Sequence, residues 1–227
     1  MNKTKVLFHI PHTSLKVPKL FYKGLLISKD EFRKYNLKMS DIYVDYLFKY
    51  IKGKRIKAKY SRMFCDVEKF KDDNIEFMSK YGQGVIYTHT YDGTLFHQDD
   101  DEYKKIVHKY YDKYHKKLDR IAKRLLSKNN KLLILDIHSY SNEQALYHHN
   151  GEFPDICIGI EKDYYNKDIL NEIISNIKEK GYSYKINYPY TGSMIPNIIF
   201  NNDKYKGRVI SIMLEVNKRI YLWYNYN

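Results

Sequence analysis

Four polar residues in this chain have the types and positions expected of a hydrolytic metal site. His12, His138 and Glu215 each lie at or near the end of a buried apolar run. Any one of the histidines could be a satisfied core residue, but their combination favours a shared site. A catalytic zinc takes about three N or O ligands and keeps one position open for water. The pattern therefore predicts His12, Asp41 and His138 as metal ligands, with Glu215 as general base.

The apolar runs that precede these residues predict the strands that must position them. Residues 131–137 (KLLILDI) form an almost continuous apolar run, which is typical of a strand buried on both faces of a parallel sheet. The segments with similar character are 5–10, 156–160 and 209–216, and residues 55–60 predict a further short strand. Ligands of such sheets bind beyond the carboxyl ends of the strands.

Helical patterns alternate with these runs. A helix is predicted after Ser40, which would be its N-cap and would place Asp41 in the first turn. A long helix is predicted from 99–101 to 125, and another over 168–177. This order predicts an α/β fold with a mixed, mainly parallel sheet and helices on both faces.

Composition favours one ordinary globular domain over residues 1–227. No Pro-, Gly- or Ser-rich stretch divides the 227 residues, and 43% of them are hydrophobic, including 25 Tyr and 10 Phe. Cys65 and Cys157 have no C-x-x-C spacing, so buried free thiols are predicted in place of a disulfide. No apolar run reaches the length of a signal sequence or a membrane span, which predicts a cytoplasmic protein without a membrane partner.

The formal net charge of +13 raises the possibility of nucleic-acid binding. The lysines are, however, spread along the chain among acidic residues, and no nucleic-acid-binding motif accompanies them. These observations disfavour nucleic acid as the main partner. A positive field would also attract small anionic substrates.

Several short segments, taken together and in order, resemble the N-formylglutamate amidohydrolase family over nearly the whole chain. They are Ile10-Pro11-His12-Thr13-Ser14, Ser40-Asp41 with Val44-Asp45, Ser61-Arg62 through Cys65-Asp66, Asp136-Ile137-His138-Ser139, Tyr188-Pro189-Tyr190-Thr191-Gly192, and Leu214-Glu215-Val216-Asn217 with Arg219 and Tyr221. Residues 137–141 also resemble the strand end that carries the third zinc ligand in carboxypeptidase A-type enzymes. The resemblance implies the related zinc carboxypeptidase, or phosphorylase/hydrolase-like, fold.

The resemblance also suggests individual roles. His12 and His138 match the two histidine ligands, and Glu215 matches the glutamate base. The carboxypeptidase pattern has a glutamate ligand three residues after the first histidine, where this chain has Leu15, so the carboxylate ligand is inferred to be Asp41.

Other matching positions imply contacts with the substrate. Arg62 matches the family's arginine and is predicted to bind a carboxylate or an oxyanion. Tyr190 and Gly192 are predicted to lie in a loop over the site. The chain has Glu68 and Lys69 where the family pattern has Asn and Arg; Lys69 keeps the positive charge and loses the bidentate fork.

The function predicted from these features is zinc-dependent cleavage of the amide bond of an N-acyl amino acid, as in N-formylglutamate deformylases, giving the free amino acid and a carboxylic acid. One divalent ion per chain is expected, with cobalt or manganese as alternatives to zinc. Two other functions stay open: a carboxypeptidase-like or other N-acyl amino acid deacylase, and a basic nucleic-acid-binding module without catalysis. The sequence leaves open the acyl group, the metal and the oligomeric state.

Overall fold

The structure, a computed structural model, describes residues 4–200 and 202–222. Its strands and helices are β1 (Thr4–Ile10), α1 (Lys29–Met39), α2 (Val44–Leu47), β2 (Lys54–Lys57), α3 (Asp101–Lys128), β3 (Lys131–Tyr140), α4 (Asn142–Ala145), β4 (Ile156–Ile160), α5 (Lys167–Glu179), β5 (Tyr184–Ile186) and β6 (Val209–Asn217). Short 3₁₀ helices occupy Lys19–Lys23, Phe77–Tyr81, Asp203–Tyr205 and Lys218–Ile220.

The chain forms two compact units. The first unit consists of the described residues of Met1–Ile10, Val44–Ile56 and Asp119–Asn227. The second consists of Pro11–Tyr43 and Lys57–Leu118.

The first unit contains a six-stranded sheet with the strand order β2-β1-β3-β6-β4-β5. Strand β3 pairs in parallel with β1 and β6, and β4 pairs in parallel with β5. Only the β4–β6 pair is antiparallel among these four pairings. The predicted α/β class with a mixed, mainly parallel sheet is therefore confirmed.

The core of the first unit is an aliphatic cluster on this sheet. Its buried members include Ile10, Leu135, Ile158, Ile212 and Val216. Helix α5 packs against this cluster through four isoleucines spaced as on one helical face, namely Ile169, Ile173, Ile174 and Ile177. The helix predicted over 168–177 is thus confirmed, and its N-cap is Asn166, whose side chain accepts from the Ile169 N–H.

In the second unit, α1 begins at a capping box that the sequence analysis did not use. The Ser28 hydroxyl accepts from the Glu31 N–H, and the Glu31 carboxylate accepts from the Ser28 N–H. The prediction that Ser40 starts a helix was wrong. Ser40 instead ends α1, and its N–H donates to the carbonyl of Asn36.

Asp41 consequently lies in the turn after α1, outside the first turn of a helix. Tyr43, two residues later, has a φ of 62°, a left-handed conformation that a continuing α-helix does not allow. Helix α2 then extends over Val44–Leu47 alone. The side chain of Asp41 is therefore positioned by a tight turn.

Two predicted strands have different lengths from those expected. Strand β2 ends at Lys57 where the sequence suggested residue 60, because the N–H groups of Lys59 and Tyr60 donate to the Tyr110 hydroxyl and not to a strand. Strand β3 continues to Tyr140, since its pairing with β6 extends that far. His138 thus lies within the strand.

Helix α3 is long and amphipathic, as its pattern predicted. Val107, Leu118 and Ala122 are fully buried, whereas the intervening lysines are exposed.

Within residues 4–200 and 202–222, no helix combines the length and the apolar character needed to cross a bilayer. Cys65 and Cys157 are both buried free thiols, as predicted.

Candidate active site

In the second unit, the buried carboxylate of Asp66 organises a cluster of predicted site residues. Its Oδ1 accepts from His12 Nε2 at 2.9 Å, and its Oδ2 accepts from Arg62 Nε and Nη2 at 3.1 and 2.8 Å. The Tyr87 hydroxyl donates to Oδ2 at 2.8 Å. Burial alone would raise the pKa of Asp66, but the charges of His12 and Arg62 outweigh it and hold this pKa well below its usual range. Asp66 is therefore an ionised acceptor.

Because Nε2 of His12 contacts Asp66, the other ring nitrogen faces Asp41. His12 Nδ1 lies 3.6 Å from Asp41 Oδ2, and both side chains are buried. Burial and the charge of Arg62 lower the pKa of His12, yet the two carboxylates outweigh them and raise it overall. The backbone N–H of Asp41 also donates to the His12 carbonyl at 2.9 Å, which fixes the two residues together. An imidazole and a carboxylate placed in this way are suited to share a divalent ion, with Asp66 orienting the imidazole.

Three charged residues near this cluster, Arg62, Glu68 and Lys69, have different partners. Arg62 belongs to the cluster, and its guanidinium lies 5.8 Å from the centre of the Tyr87 ring. Lys69 pairs with Glu76, with 3.6 Å between Nζ and Oε1. Glu68 Oε2 lies 3.9 Å from His12 Nδ1. The substrate-binding roles predicted for Arg62 and Lys69 stay predictions.

In the first unit, Asp136 plays the same part for the second predicted histidine ligand. Its Oδ1 accepts from His138 Nε2 at 3.0 Å and from His9 Nδ1 at 2.7 Å, and its Oδ2 accepts from the Met194 N–H at 2.8 Å. Burial acts to raise the pKa of Asp136, but the charges of His138 and His9 lower it far more. Ligand atoms of His9, Asp136 and His138 lie within 4.8 Å of one another.

The sheet itself places His138 beside Glu215. The two residues are direct register partners on the parallel strands β3 and β6, which lie about 4.8 Å apart in such sheets. Both side chains are almost fully buried. Asp136 fixes the orientation of the His138 ring through Nε2. The predicted ligand and the predicted base are therefore neighbours.

The predicted substrate loop is anchored to the same carboxylate. Tyr190 and Gly192 precede Met194, whose N–H donates to Asp136 and whose carbonyl accepts from the Ser211 hydroxyl at 2.8 Å. Gly192 has a φ of 81°, which favours glycine. The hydrogen bond from Met194 therefore fixes the end of this loop to Asp136. That the loop covers the substrate remains a prediction.

Sequence reasoning missed four residues of these clusters as site residues: His9, Asp66, Tyr87 and Asp136. The alternation of side chains along a strand could have placed Asp136 on the same face as His138. His9 could not have been found without the β1–β3 register, in which it is opposite Asp136. Tyr87 is 21 residues from Asp66 and carries no local signal.

Comparison with known proteins gives these observations a family context. Residues 4–222 match the family described as N-formylglutamate amidohydrolase, and the chain belongs to this family of hydrolases. Comparison with curated protein sequences gave no match.

Two crystal structures share the fold. One is N-formylglutamate amidohydrolase from Ralstonia eutropha, with a TM-score of 0.79 and 19% identity over 95% of this chain and 82% of that chain. The other is an Agrobacterium tumefaciens gene product, with a TM-score of 0.67 and 15% identity over 96% of this chain and 82% of that one. At these identities the likeness establishes the fold alone.

Proposed function

We propose that this amidohydrolase is metal-dependent and cleaves the amide bond of an N-acyl amino acid, such as an N-formylglutamate-like compound, to the amino acid and a carboxylic acid. The observation that carries the proposal is the repeated histidine–carboxylate pair. Asp66 and Asp136 each accept from Nε2 of a histidine, which fixes the orientation of the His12 and His138 imidazole rings. Histidine ligands of metal ions are commonly oriented by such carboxylates.

In this proposal, His12, Asp41 and His138 hold one divalent ion. Two imidazole nitrogens and one carboxylate oxygen form a donor set suited to catalytic zinc, and cobalt or manganese could replace zinc at such a site. When bound, the ion would polarise the acyl carbonyl and lower the pKa of a water molecule.

Glu215 acts as the general base. Its carboxylate takes a proton from the attacking water and then passes that proton to the departing amine. Its place beside His138 in the sheet register supports this role. No covalent intermediate is required.

The remaining predicted residues bind the substrate. Asp66 accepts hydrogen bonds from one edge of the Arg62 guanidinium. The Arg62 side chain keeps 22% exposure, so its guanidinium is suited to bind an oxyanion or a substrate carboxylate. Tyr190, Gly192 and Lys69 contact the amino-acid portion of the substrate.

We further propose that residues 1–227 work as one catalytic domain in the cytoplasm. The net charge of +13 attracts a small anionic substrate in preference to nucleic acid.

A substrate panel tests this function. Zinc-loaded protein is offered formyl, acetyl and succinyl derivatives of glutamate and of a neutral amino acid, together with a dipeptide, and the released amine is measured. Turnover of a formyl or another acyl derivative, lost in Glu215→Gln, is expected. Preference for the dipeptide would favour a carboxypeptidase-like activity. No hydrolysis, together with tight binding in a gel-shift titration at moderate salt, would favour the nucleic-acid-binding alternative.

A further inference from the structure

Two rows of side chains on one face of the sheet in the first unit lie under the loop of residues 190–194. Register partners point to the same face of a sheet, and every second residue of a strand returns to that face. Two adjacent rows therefore cross β3, β6 and β4: His138, Glu215 and Cys157 in the first row, and Asp136, Met213 and Gly159 in the second row. The rows lie roughly 6.6 Å apart along the strands. The first row holds a proposed metal ligand and the proposed base.

The loop of residues 190–194 begins over the first row. The Tyr190 carbonyl accepts from the Cys157 thiol, with 3.1 Å between oxygen and Sγ. Gly192 then passes directly over the second row, because a methyl group added to Gly159 would lie 2.1 Å from the Gly192 carbonyl oxygen. The loop thus runs from the first row to the second.

Ser193 comes next and is held against the second row from both sides. The residue after it, Met194, donates its N–H to Asp136 Oδ2, and its carbonyl accepts from the Ser211 hydroxyl, both at 2.8 Å. Ser193 therefore lies between two backbone contacts with the second row. Its place is one row away from the proposed ligand and the proposed base.

The Ser193 hydroxyl is a buried polar group that the folded chain does not satisfy. Its Oγ is buried and makes no hydrogen bond with any residue in 4–200 or 202–222. A buried hydroxyl without a partner destabilises a folded protein, so such a group calls for a functional explanation. Thr191, the other hydroxyl residue of this loop, is exposed to solvent. Ser193 thus carries the loop hydroxyl that is suited to a bound ligand.

We propose that Ser193 is a specificity-determining residue whose hydroxyl donates to the α-carboxylate of the N-acyl amino acid. The inference rests on the proposed hydrolytic function and assigns one further substrate contact. The α-carboxylate is bonded to the same carbon as the scissile nitrogen, so it must lie close to the first row when the amide is placed for attack. The position of Ser193, one row away, fits this requirement.

The chemistry of the contact predicts how it acts on the reaction. A hydroxyl that donates to an ionised carboxylate forms a charge-assisted hydrogen bond, which is stronger than a bond between neutral groups. The α-carboxylate keeps its charge throughout the hydrolysis. The contact is therefore equally strong in the ground state and the transition state, and its loss raises KM with little effect on kcat.

The test compares N-formyl-L-glutamate with N-formyl-L-isoglutamine, in which a carboxamide replaces the α-carboxylate. Values of kcat and KM are measured from formate release for wild type, Ser193→Ala and the matched control Thr191→Ala, which removes an exposed hydroxyl from the same loop. Ser193→Ala should raise the KM for N-formyl-L-glutamate at least about tenfold and change kcat by less than about threefold. Its KM for N-formyl-L-isoglutamine should change by less than about threefold, and Thr191→Ala should match wild type for both compounds.

Binding without turnover separates this inference from the proposed function. Calorimetric titration of zinc-loaded protein with L-glutamate and L-isoglutamine should show the same selective loss of affinity for the carboxylate in Ser193→Ala. If no formyl amide is hydrolysed but this pattern holds, the carboxylate contact stands and the hydrolytic function does not. If formyl amides are hydrolysed with the same KM by wild type and Ser193→Ala, the function stands and the contact does not.

The stability of the variant distinguishes substrate binding from a structural role. Because the Ser193 hydroxyl makes no hydrogen bond with the described residues, Ser193→Ala should leave the midpoint of urea unfolding unchanged or raise it. A lowered midpoint, or an equal loss of affinity for the carboxylate and the carboxamide, would overturn the inference.

Discussion

Replacing Asp66 by asparagine should lower the stability of the protein substantially. The substitution keeps the size of the side chain but removes the charge and turns one acceptor oxygen into a donor NH₂. His12, Glu68, Arg62 and Tyr87 all donate to this fully buried carboxylate, so some of these donors must lose their acceptor. Breaking a buried ion pair costs about 3–5 kcal/mol.

We expect a value near the lower end of that range, about 3 kcal/mol, because the Arg62 side chain keeps 22% exposure and can be partly solvated. Urea denaturation at pH 7 measures the free energy of unfolding. Tyr87→Phe is the matched control: it removes one donor and leaves the charge, so its loss should be about 1–1.5 kcal/mol.

The effect of Asp66→Asn should depend on pH. The folded state holds the pKa of Asp66 well below its usual value, so its stabilising contribution is complete above the unfolded-state pKa of about 3.9. That contribution is lost as the pH falls towards the folded-state pKa. The difference between wild type and variant should therefore shrink below about pH 4. A variant within about 1 kcal/mol of wild type at pH 7 would refute the central role assigned to this carboxylate.

Three further predictions concern the rest of the fold. Ser28→Ala removes the capping box of α1 and should destabilise the protein by about 1 kcal/mol in urea, and an unchanged midpoint would show that the cap is not needed. Burial raises the pKa of the Cys157 thiol to about 12, so native protein at pH 8 should react with a disulfide reagent only after unfolding; rapid native labelling of a Cys65→Ala variant would contradict this. Gly159→Ala would place a methyl group 2.1 Å from the Gly192 carbonyl, so we expect a loss of about 1–3 kcal/mol and a raised KM; an unaffected KM would argue against a substrate role for this loop.

Strands β3, β4 and β6 could be predicted from the sequence because they are apolar on both faces, whereas the short and partly exposed strand β5 (Tyr184–Ile186) was not predicted. The runs that became β3, β4 and β6 are interrupted by few polar residues, and burial of such runs leaves little choice of structure. The segment around Ser40 was misread because a serine is compatible with either end of a helix. The competing signal, the capping box at Ser28 and Glu31, decides where α1 begins.

Polar residues at the ends of the buried strands were selected as candidate site residues for the same reason, since a polar residue there differs from its apolar neighbours. The partners that orient them were not, because hydrogen bonds to Asp66 and Asp136 depend on loops and on strand register. Lys69 is a further example: its substrate-binding role stays a prediction, and its ion pair with Glu76 could not be predicted because the sequence does not show which acid lies near it.

The metal content of the purified protein tests the account most directly. Mass spectrometry of protein prepared without added metal, and again after zinc is offered, should be done on wild type and His138→Ala in parallel. The account predicts about one ion per wild-type chain and almost none in the variant. Absence of metal from wild type even after zinc is offered, or stoichiometric zinc in His138→Ala, would contradict the proposed ligands and with them the mechanism.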